Sequence, residues 1–377
     1  MKAKSSFALK DHLFNAAKVT YLANLIAQAY PDFETDKFHT VVVSKFPKLE
    51  LKQRITHITE CLHRYLPEDY ETALEILRRS LPPELDPTKT DDDFGDFIFA
   101  PFSMYAATYG CEEPYLQLSL EALKEITKRF SAEDAIRYFI NGFPDQTLTF
   151  LLACARDENY HVRRLASEGT RPKLPWAQKI TIDCHRALPI LDILYVDKTR
   201  YVTRSVANHL NDISKIDPDL VLTTLRKWKE GDRQTEKELA FLTKHALRTL
   251  TKQGNPEALA LLGFNQQPSV KITNLMTSTP IVKIGSAFEF SLEIYADKKQ
   301  DILVDYSMIY AGTGRKQSQK IFKIKQLVLK KDETTKLKKR HPMRLMTTRS
   351  LFPGTHQINV RVNGQILESL SFELIKA

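Results

Sequence analysis

His161-Val162-Arg163-Arg164-Leu165-Ala166-Ser167-Glu168 is a stretch that recurs twice along the chain. It aligns with Tyr201-Val202-Thr203-Arg204-Ser205-Val206-Ala207-Asn208, and again with Phe241-Leu242-Thr243-Lys244-His245-Ala246-Leu247-Arg248. The period of about forty residues is the size of one HEAT-type helical hairpin. A further helical pattern precedes each copy, at 146–155, 187–195 and 219–228. Residues four apart share a helix face. Val162, Ala166 and Thr170, then Val202, Val206 and Leu210, then Leu242, Ala246 and Leu250 form a seam against the neighbouring helix. Arg164 and Glu168, Arg204 and Asn208, and Lys244 and Arg248 lie about 200–240° around from that seam. Stacked copies predict one polar, mostly basic stripe on the concave side of a solenoid. For a single copy the plain alternative is an i,i+4 ion pair such as Arg164–Glu168, worth about 0.2–0.5 kcal/mol.

Outward from the repeat, helical spacing continues toward the N-terminus at 16–30, 49–65 and 70–81, where Pro82-Pro83 stops it. Residues 82–95 read as an acidic, proline-rich loop containing Asp91, Asp92 and Asp93, and helical pattern resumes at about Phe97. From Pro268 the period shifts toward two. Short runs at 270–273, 288–295, 302–310, 321–329, 357–362 and 367–374 are rich in Val, Ile, Phe and Tyr. Val362-Asn363-Gly364-Gln365 has the Asn-Gly signature of a type I′ hairpin turn. Such strands point to an immunoglobulin-like sandwich. The chain therefore reads as multidomain, α then β. An α-solenoid of HEAT-like helical repeats spans residues 1–265, and an immunoglobulin-like β-sandwich spans residues 268–377.

The chain has 377 residues, with 55 Lys+Arg against 46 Asp+Glu and a formal net charge of +9. Residues 1–154 carry 17 basic and 23 acidic side chains, 155–267 carry 19 and 14, and 268–377 carry 19 and 9. A basic half on an acidic base is an electrostatic footprint, most often for nucleic acid. With 42% hydrophobic and 27% charged residues the chain is neither disordered nor membrane-embedded. No apolar run reaches the roughly 20 residues of a membrane helix, and Asp11 and His12 break any signal-peptide core. Cys61, Cys111, Cys154 and Cys184 form no CxxC pair, as expected of scattered thiols in a reducing cytoplasm. HExxH, GxSxG, P-loop and GxGxxG motifs are absent from the sequence. The expectation is a protein with no metal and no small-molecule cofactor.

At the repeat the sequence resembles the AlkC branch of the AlkC/AlkD-type DNA alkylation-repair glycosylases. The run His161 to Trp176 carries the resemblance most specifically, with Ser205 to Lys215, His245 to Leu250 and Glu257 to Phe264. Leu9 to His12, Ser131 to Arg137, His341 to Arg349 and Pro353-Gly354 agree as well, so nearly the whole chain is covered. The resemblance implies cleavage of the N-glycosidic bond of cationic alkylated bases in double-stranded DNA: N3-methyladenine, N3-methylcytosine and N1-methyladenine. It also implies a solenoid working without a base-flipping pocket, and an immunoglobulin-like domain that helps encircle DNA. A monomer in the cytoplasm, associated with the nucleoid, is the matching expectation. The rival expectation is a non-catalytic HEAT scaffold that binds nucleic acid or an acidic protein.

An alkylated base already carries positive charge and leaves easily. The protein must then stabilise an oxocarbenium-like sugar, which calls for a carboxylate nearby. Glu133 and Glu168 lie on the matching segments, with Asp212 and Glu158 in reserve. Trp176 offers cation–π attraction of about 0.5–2 kcal/mol. The alternatives are a helix-dipole contact for Glu133, the Arg164 pair for Glu168 and a core anchor for Trp176. Expected DNA contacts are Arg163, Arg164, Arg171, Lys173, Arg204, Asn208, Lys244 and Arg248, with Lys338, Lys339, Arg340, Arg344 and Arg349 in the β domain. For the last group the alternative is a solvated loop. Thr203 and Thr243 stand where the first copy has Arg163, so the double Arg is lost and one basic contact per copy is left there.

Overall fold

Asn159 opens the first repeat helix by accepting a hydrogen bond from the His161 amide, and the helix runs Tyr160–Gly169. Its partner is Pro144–Cys154, with Pro144 in the first turn, where the missing amide costs no hydrogen bond. The next pair is Leu188–Leu194 and Arg200–Ile213. Pro218–Glu230, capped by Asp217, and Glu236–Ala246 follow along the chain. A computed structural model describes residues 8–89, 93–312, 318–345 and 350–376. Asp91, Asp92 and Arg349 lie outside them.

The chain forms two compact units: Met1–Ile213 with Asp232–Leu242, and Ser214–Gly231 with Thr243–Ala377. In the first unit every element is helical. The seam residues Val162, Ala166, Val202, Val206 and Leu210 are fully buried, and the Tyr160–Gly169 and Arg200–Ile213 helices pack on one another. The expected open stripe needs correction. Arg164 and Glu168 are buried, Arg204 and Asn208 half-buried, and Lys244 and Arg248 exposed. The cause is local. Ser131 and Glu133 cover the first copy, and the Arg164 guanidinium lies over the rings of Phe94 and Tyr201.

The helices end at Leu261 and the strands begin at Val270. The second unit holds β1 (Val270–Thr277), β2 (Ile281–Lys283), β3 (Ala287–Ala296), β4 (Gln300–Tyr310), β5 (Ser318–Leu329), β6 (Glu333–Pro342), β7 (Gly354–Val362) and β8 (Gln365–Ile375). They make a three-stranded sheet in the order β1-β3-β6 and a five-stranded sheet in the order β2-β8-β7-β4-β5. Phe288, Phe290, Leu292 and Ile294 alternate into the core against Val304, Tyr306, Met308, Ile358 and Val360. Asn363 (φ 48) and Gly364 (φ 81) supply the left-handed turn that the Asn-Gly pair predicts. The other face of β4 is covered too, because Leu303 packs with Leu259 and Phe264.

The solvated-loop alternative fails for Lys338, Lys339 and Arg340, while Arg344 lies past the strand in an exposed irregular segment. Residues 333–342 are strand β6, paired with β3 from Ala296↔Glu333 to Ala287↔Pro342. Leu337 and His341 turn inward while Lys336, Lys338 and Arg340 are exposed.

Candidate active site and nucleic-acid interface

Five buried charged side chains of the first unit alternate in sign: Glu133, Arg164, Glu168, Arg171 and Asp212, all at or below 9% exposure. Arg164 Nη1 donates to Glu133 Oε2 at 3.1 Å and to Ser131 Oγ at 2.5 Å. Its Nη2 stands 3.6 Å from Glu168 Oε1. Arg171 Nη1 donates to the same Glu168 oxygen at 2.5 Å, while its Nε and Nη2 hold Asp212 Oδ2 at 2.9 and 2.7 Å. The Ser205 hydroxyl lies 2.6 Å from Glu168 Oε2. Helix spacing explains the local part: Arg164, Glu168 and Arg171 are three and four apart on or just past one helix. Asp212 and Ser205 come from the equivalent helix of the next repeat.

The two glutamates are pushed in opposite directions. Burial raises the Glu133 carboxyl above the ordinary range, with Arg164 pulling against it. Burial also pushes Glu168 up, but Arg164, Arg171 and Ser205 outweigh it and hold the group below its ordinary value. The environment thus favours the anion at Glu168 and the protonated form at Glu133, a separation found at acid–base sites. His209 Nδ1 lies 3.0 Å from the Ser167 carbonyl oxygen, and burial lowers its pKa to about 4, so the imidazole behind the ladder is neutral.

Glu133 lines a cleft of about 450 Å³ together with Ser131, Phe94, Tyr138 and Trp176. Phe94, Tyr138 and Trp176 are 43%, 36% and 50% exposed, so the core-anchor alternative for Trp176 is excluded. Lys52 Nζ donates to the Trp176 carbonyl oxygen. Arg137, fully buried, donates to the carbonyl oxygens of Gly169 (3.0 Å), Arg171 (2.8 Å) and Gln178 (2.5 Å). Asn141, one turn on, donates to the Lys179 carbonyl oxygen. These two side chains grip both ends of the segment that presents Trp176.

Glu133 and Trp176 therefore meet at one cleft. Glu168 stands behind Glu133, and Asp212 is an anchor for Arg171. Glu158 is exposed, and Arg163 donates to its carbonyl oxygen. Among the expected DNA contacts, Arg164 and Arg171 are buried in the ladder. Arg163 is half-buried and clasps Asp197. These three are not open to a phosphate in the way the stripe predicted. Lys173, Lys244 and Arg248 are exposed, as are Lys338, Arg340 and Arg344, while Lys339 is half-buried. Lys339, Arg340 and Arg344 border a hollow of about 320 Å³ with Tyr306 and His341.

Sequence reasoning missed Phe94, Tyr138, Ser131, Ser205 and Arg137 as site residues. Arg137 sits on a quoted segment, four residues after Glu133, and that spacing was the available signal. It also passed over Asp183, Cys184 and His185, whose ligand atoms lie within 4.8 Å of one another. Among the described residues no fourth donor joins these three, which make an incomplete zinc set, and none of them lines the cleft.

Residues 271–376 match the family described as the C-terminal Ig-like domain of the uncharacterised protein YhaZ. YhaZ of Bacillus subtilis (strain 168), an uncharacterised protein, is 33% identical over 366 residues, 96% of this chain and 98% of its own. A solved structure of the Pseudomonas fluorescens alkylpurine DNA glycosylase AlkC, bound to DNA containing an abasic site analog, is 34% identical. It superposes with a TM-score of 0.84 over 98% of this chain and 99% of that one. The chain belongs to the AlkC and YhaZ family, the AlkC branch of the DNA alkylation-repair glycosylases, in which HEAT-like helical repeats precede an immunoglobulin-like domain.

Proposed function

We propose that the protein is a monofunctional DNA glycosylase of base excision repair. It hydrolyses the N-glycosidic bond of N3-methyladenine, N3-methylcytosine and N1-methyladenine in duplex DNA. The observation that carries this reading is Glu133: a buried carboxylate that lines an aromatic cleft, with a proton affinity raised by burial, and backed by Glu168, which two arginines hold below its ordinary value.

Three carboxylates and two guanidiniums make the ladder neutral when Glu133 holds a proton. A cationic substrate in the cleft supplies the charge that lets Glu133 ionise instead. The C1′–N bond then breaks with its electron pair moving to the base, which leaves neutral. The Glu133 carboxylate faces the cationic sugar and stabilises it. Water attacks C1′, and its proton passes to Glu133 or to solvent, giving an abasic site. Trp176 attracts the cation through its ring face. The three exposed aromatics support action on a lesion at the cleft, without an enclosed base pocket.

For the DNA backbone the exposed Lys173, Lys244, Arg248, Lys338, Arg340 and Arg344 are the candidates, with half-buried Arg204, Asn208 and Lys339 beside them. Arg163, Arg164 and Arg171 act through the site they hold together. The protein works as a cytoplasmic, nucleoid-associated monomer with residues 1–265 and 268–377 as its functional domains. No helix of the described residues is long and apolar enough to cross a membrane.

The test is incubation of pure protein with alkylated duplex DNA, without metal or nucleotide, and chromatography of the released bases. Free N3-methyladenine or N3-methylcytosine is expected. If DNA binds with a steep salt dependence and no base appears, the protein is a nucleic-acid-binding scaffold instead.

A further inference from the structure

The Glu133 cleft has a further wall that catalysis on a methylated base leaves uncovered. Leu9 and Leu13 of the helix Leu9–Leu13, Leu51 and Ile55 of the helix Leu51–Tyr65, Phe97, and Met104 of the helix Ala100–Tyr109 give the cleft an apolar floor. Leu9 is 55% exposed and the other five are half-buried, so water meets this floor. The hydroxyls of Thr56 and Ser103 also line the cleft, and each donates to a carbonyl oxygen of its own helix, those of Lys52 and Ala100. Lys52 is engaged by the Trp176 carbonyl oxygen and by Asp134. The polar wall is Ser131, Glu133 and Asp134. Apolar surface gathered in a functional cleft marks a place that a ligand covers, and a methyl group is too small to cover six side chains.

We propose that this floor receives the substituent of the damaged base, so that adenines with longer straight N3 chains, ethyl, propyl and butyl, are better substrates than N3-methyladenine. The inference rests on the glycosylase reading of Glu133. Chemistry sets the placement. A carboxylate that stabilises a cationic sugar stands beside C1′. The N3 and N9 bonds of a purine point to the same edge, so an N3 chain lies next to C1′ and enters the cleft that holds Glu133. The N7 bond points to the opposite, major-groove edge, and an N7 chain is carried away from the floor. A polar substituent would leave the apolar side chains wet and would find the neighbouring hydroxyls already donating elsewhere. The bond broken is the same as for the methylated base: the C1′–N9 electron pair moves into the ring, the N3-alkyladenine leaves neutral and water attacks C1′.

The experiment gives the full chain duplex DNA alkylated in parallel with methyl, ethyl, propyl and butyl nitrosourea. Release of each N3-alkyladenine is timed by chromatography and corrected for spontaneous loss, with the N7-alkylguanines of the same DNA as reference. Burial of each added methylene should raise kcat/KM, for a gain of at least about tenfold from methyl to butyl, with no gain for N7-alkylguanine. Thr56→Trp, on an exposed side chain next to Ile55, lays a ring over the floor. It should bring the butyl-to-methyl ratio down to about 1 with an unchanged melting temperature. Ile55→Asn should lower the ratio as well, and if that variant does not fold, Thr56→Trp tests the same contact. Release of N3-methyladenine with no gain along the series overturns the proposal and leaves the glycosylase reading standing. An equal gain for N7-alkylguanine, or a ratio indifferent to Thr56→Trp, also overturns it. Release of no base of any chain length is the distinct failure of the glycosylase reading, and the proposal falls with it.

Discussion

Each unit buries carboxylates against guanidiniums, and it does so differently. In the first unit Arg164 and Arg171 both donate to carboxylate oxygens, and serines fill further positions. In the second, Asp305 and Arg361 face each other at 3.2 Å, but Asp305 Oδ1 and Arg361 Nε and Nη2 have no directed partner. The same chemistry yields a rigid ladder in one place and an under-satisfied pair in the other. Burial alone does not stabilise a charge; the completeness of its hydrogen bonds decides.

The contrast can be broken most strongly at Arg171. Replacing it with Met leaves Glu168 and Asp212 buried without their shared cation, and the first unit should lose about 3–5 kcal/mol of stability in urea unfolding. Glu133→Gln keeps the shape and removes the ionisable group. Base release should fall about 10²–10³-fold while affinity for abasic DNA stays within about threefold. An equal loss of both would make Glu133 a structural residue.

The pH dependence separates the two systems by sign. Burial raises the Asp305 pKa to about 6, against about 3.9 when unfolded. Folding therefore takes up a proton between those values. The stability it contributes is full below about pH 4 and is lost as pH rises toward 6, by at most about 3 kcal/mol. Glu168, held below its ordinary value, acts oppositely and loses its contribution as pH falls. Melting curves between about pH 4 and 7 should show the second unit weakening upward, and Asp305→Asn should flatten that slope.

Smaller effects sharpen the picture. Arg137→Lys keeps the charge but cannot reach three carbonyl oxygens, so kcat should fall about tenfold with KM nearly unchanged if Arg137 positions the Trp176 segment. A proportional rise in KM would assign it to DNA binding. Smallest of all is the double change Asp305→Leu with Arg361→Met, expected to alter stability by no more than about 1 kcal/mol or to raise it. A large loss would show that the pair has partners in solution.

The repeat was legible because its seam positions are apolar at helical spacing, and Val162, Val202 and Leu242 are all fully buried. The same arithmetic misplaced Arg164. Periodicity gives a direction around one helix but not what covers it, and Ser131, Phe94 and Tyr201 arrive from elsewhere in the chain. Strand β6 escaped notice because only Leu337 and His341 of its inner side are buried, so its lysine-rich run shows little apolar alternation. Glu133 and Trp176 could be picked out by resemblance. Phe94 could not, because it follows an acidic run and has neither spacing nor motif to announce it.

The chain has two tryptophans. Trp228 is 1% exposed, while Trp176 stands half in solvent at the cleft. A small dissolved quencher such as acrylamide reaches one indole and not the other. The unlabelled protein therefore carries its own optical gauge: the quenchable part of its emission belongs to the cleft, and whatever fills the cleft shields it.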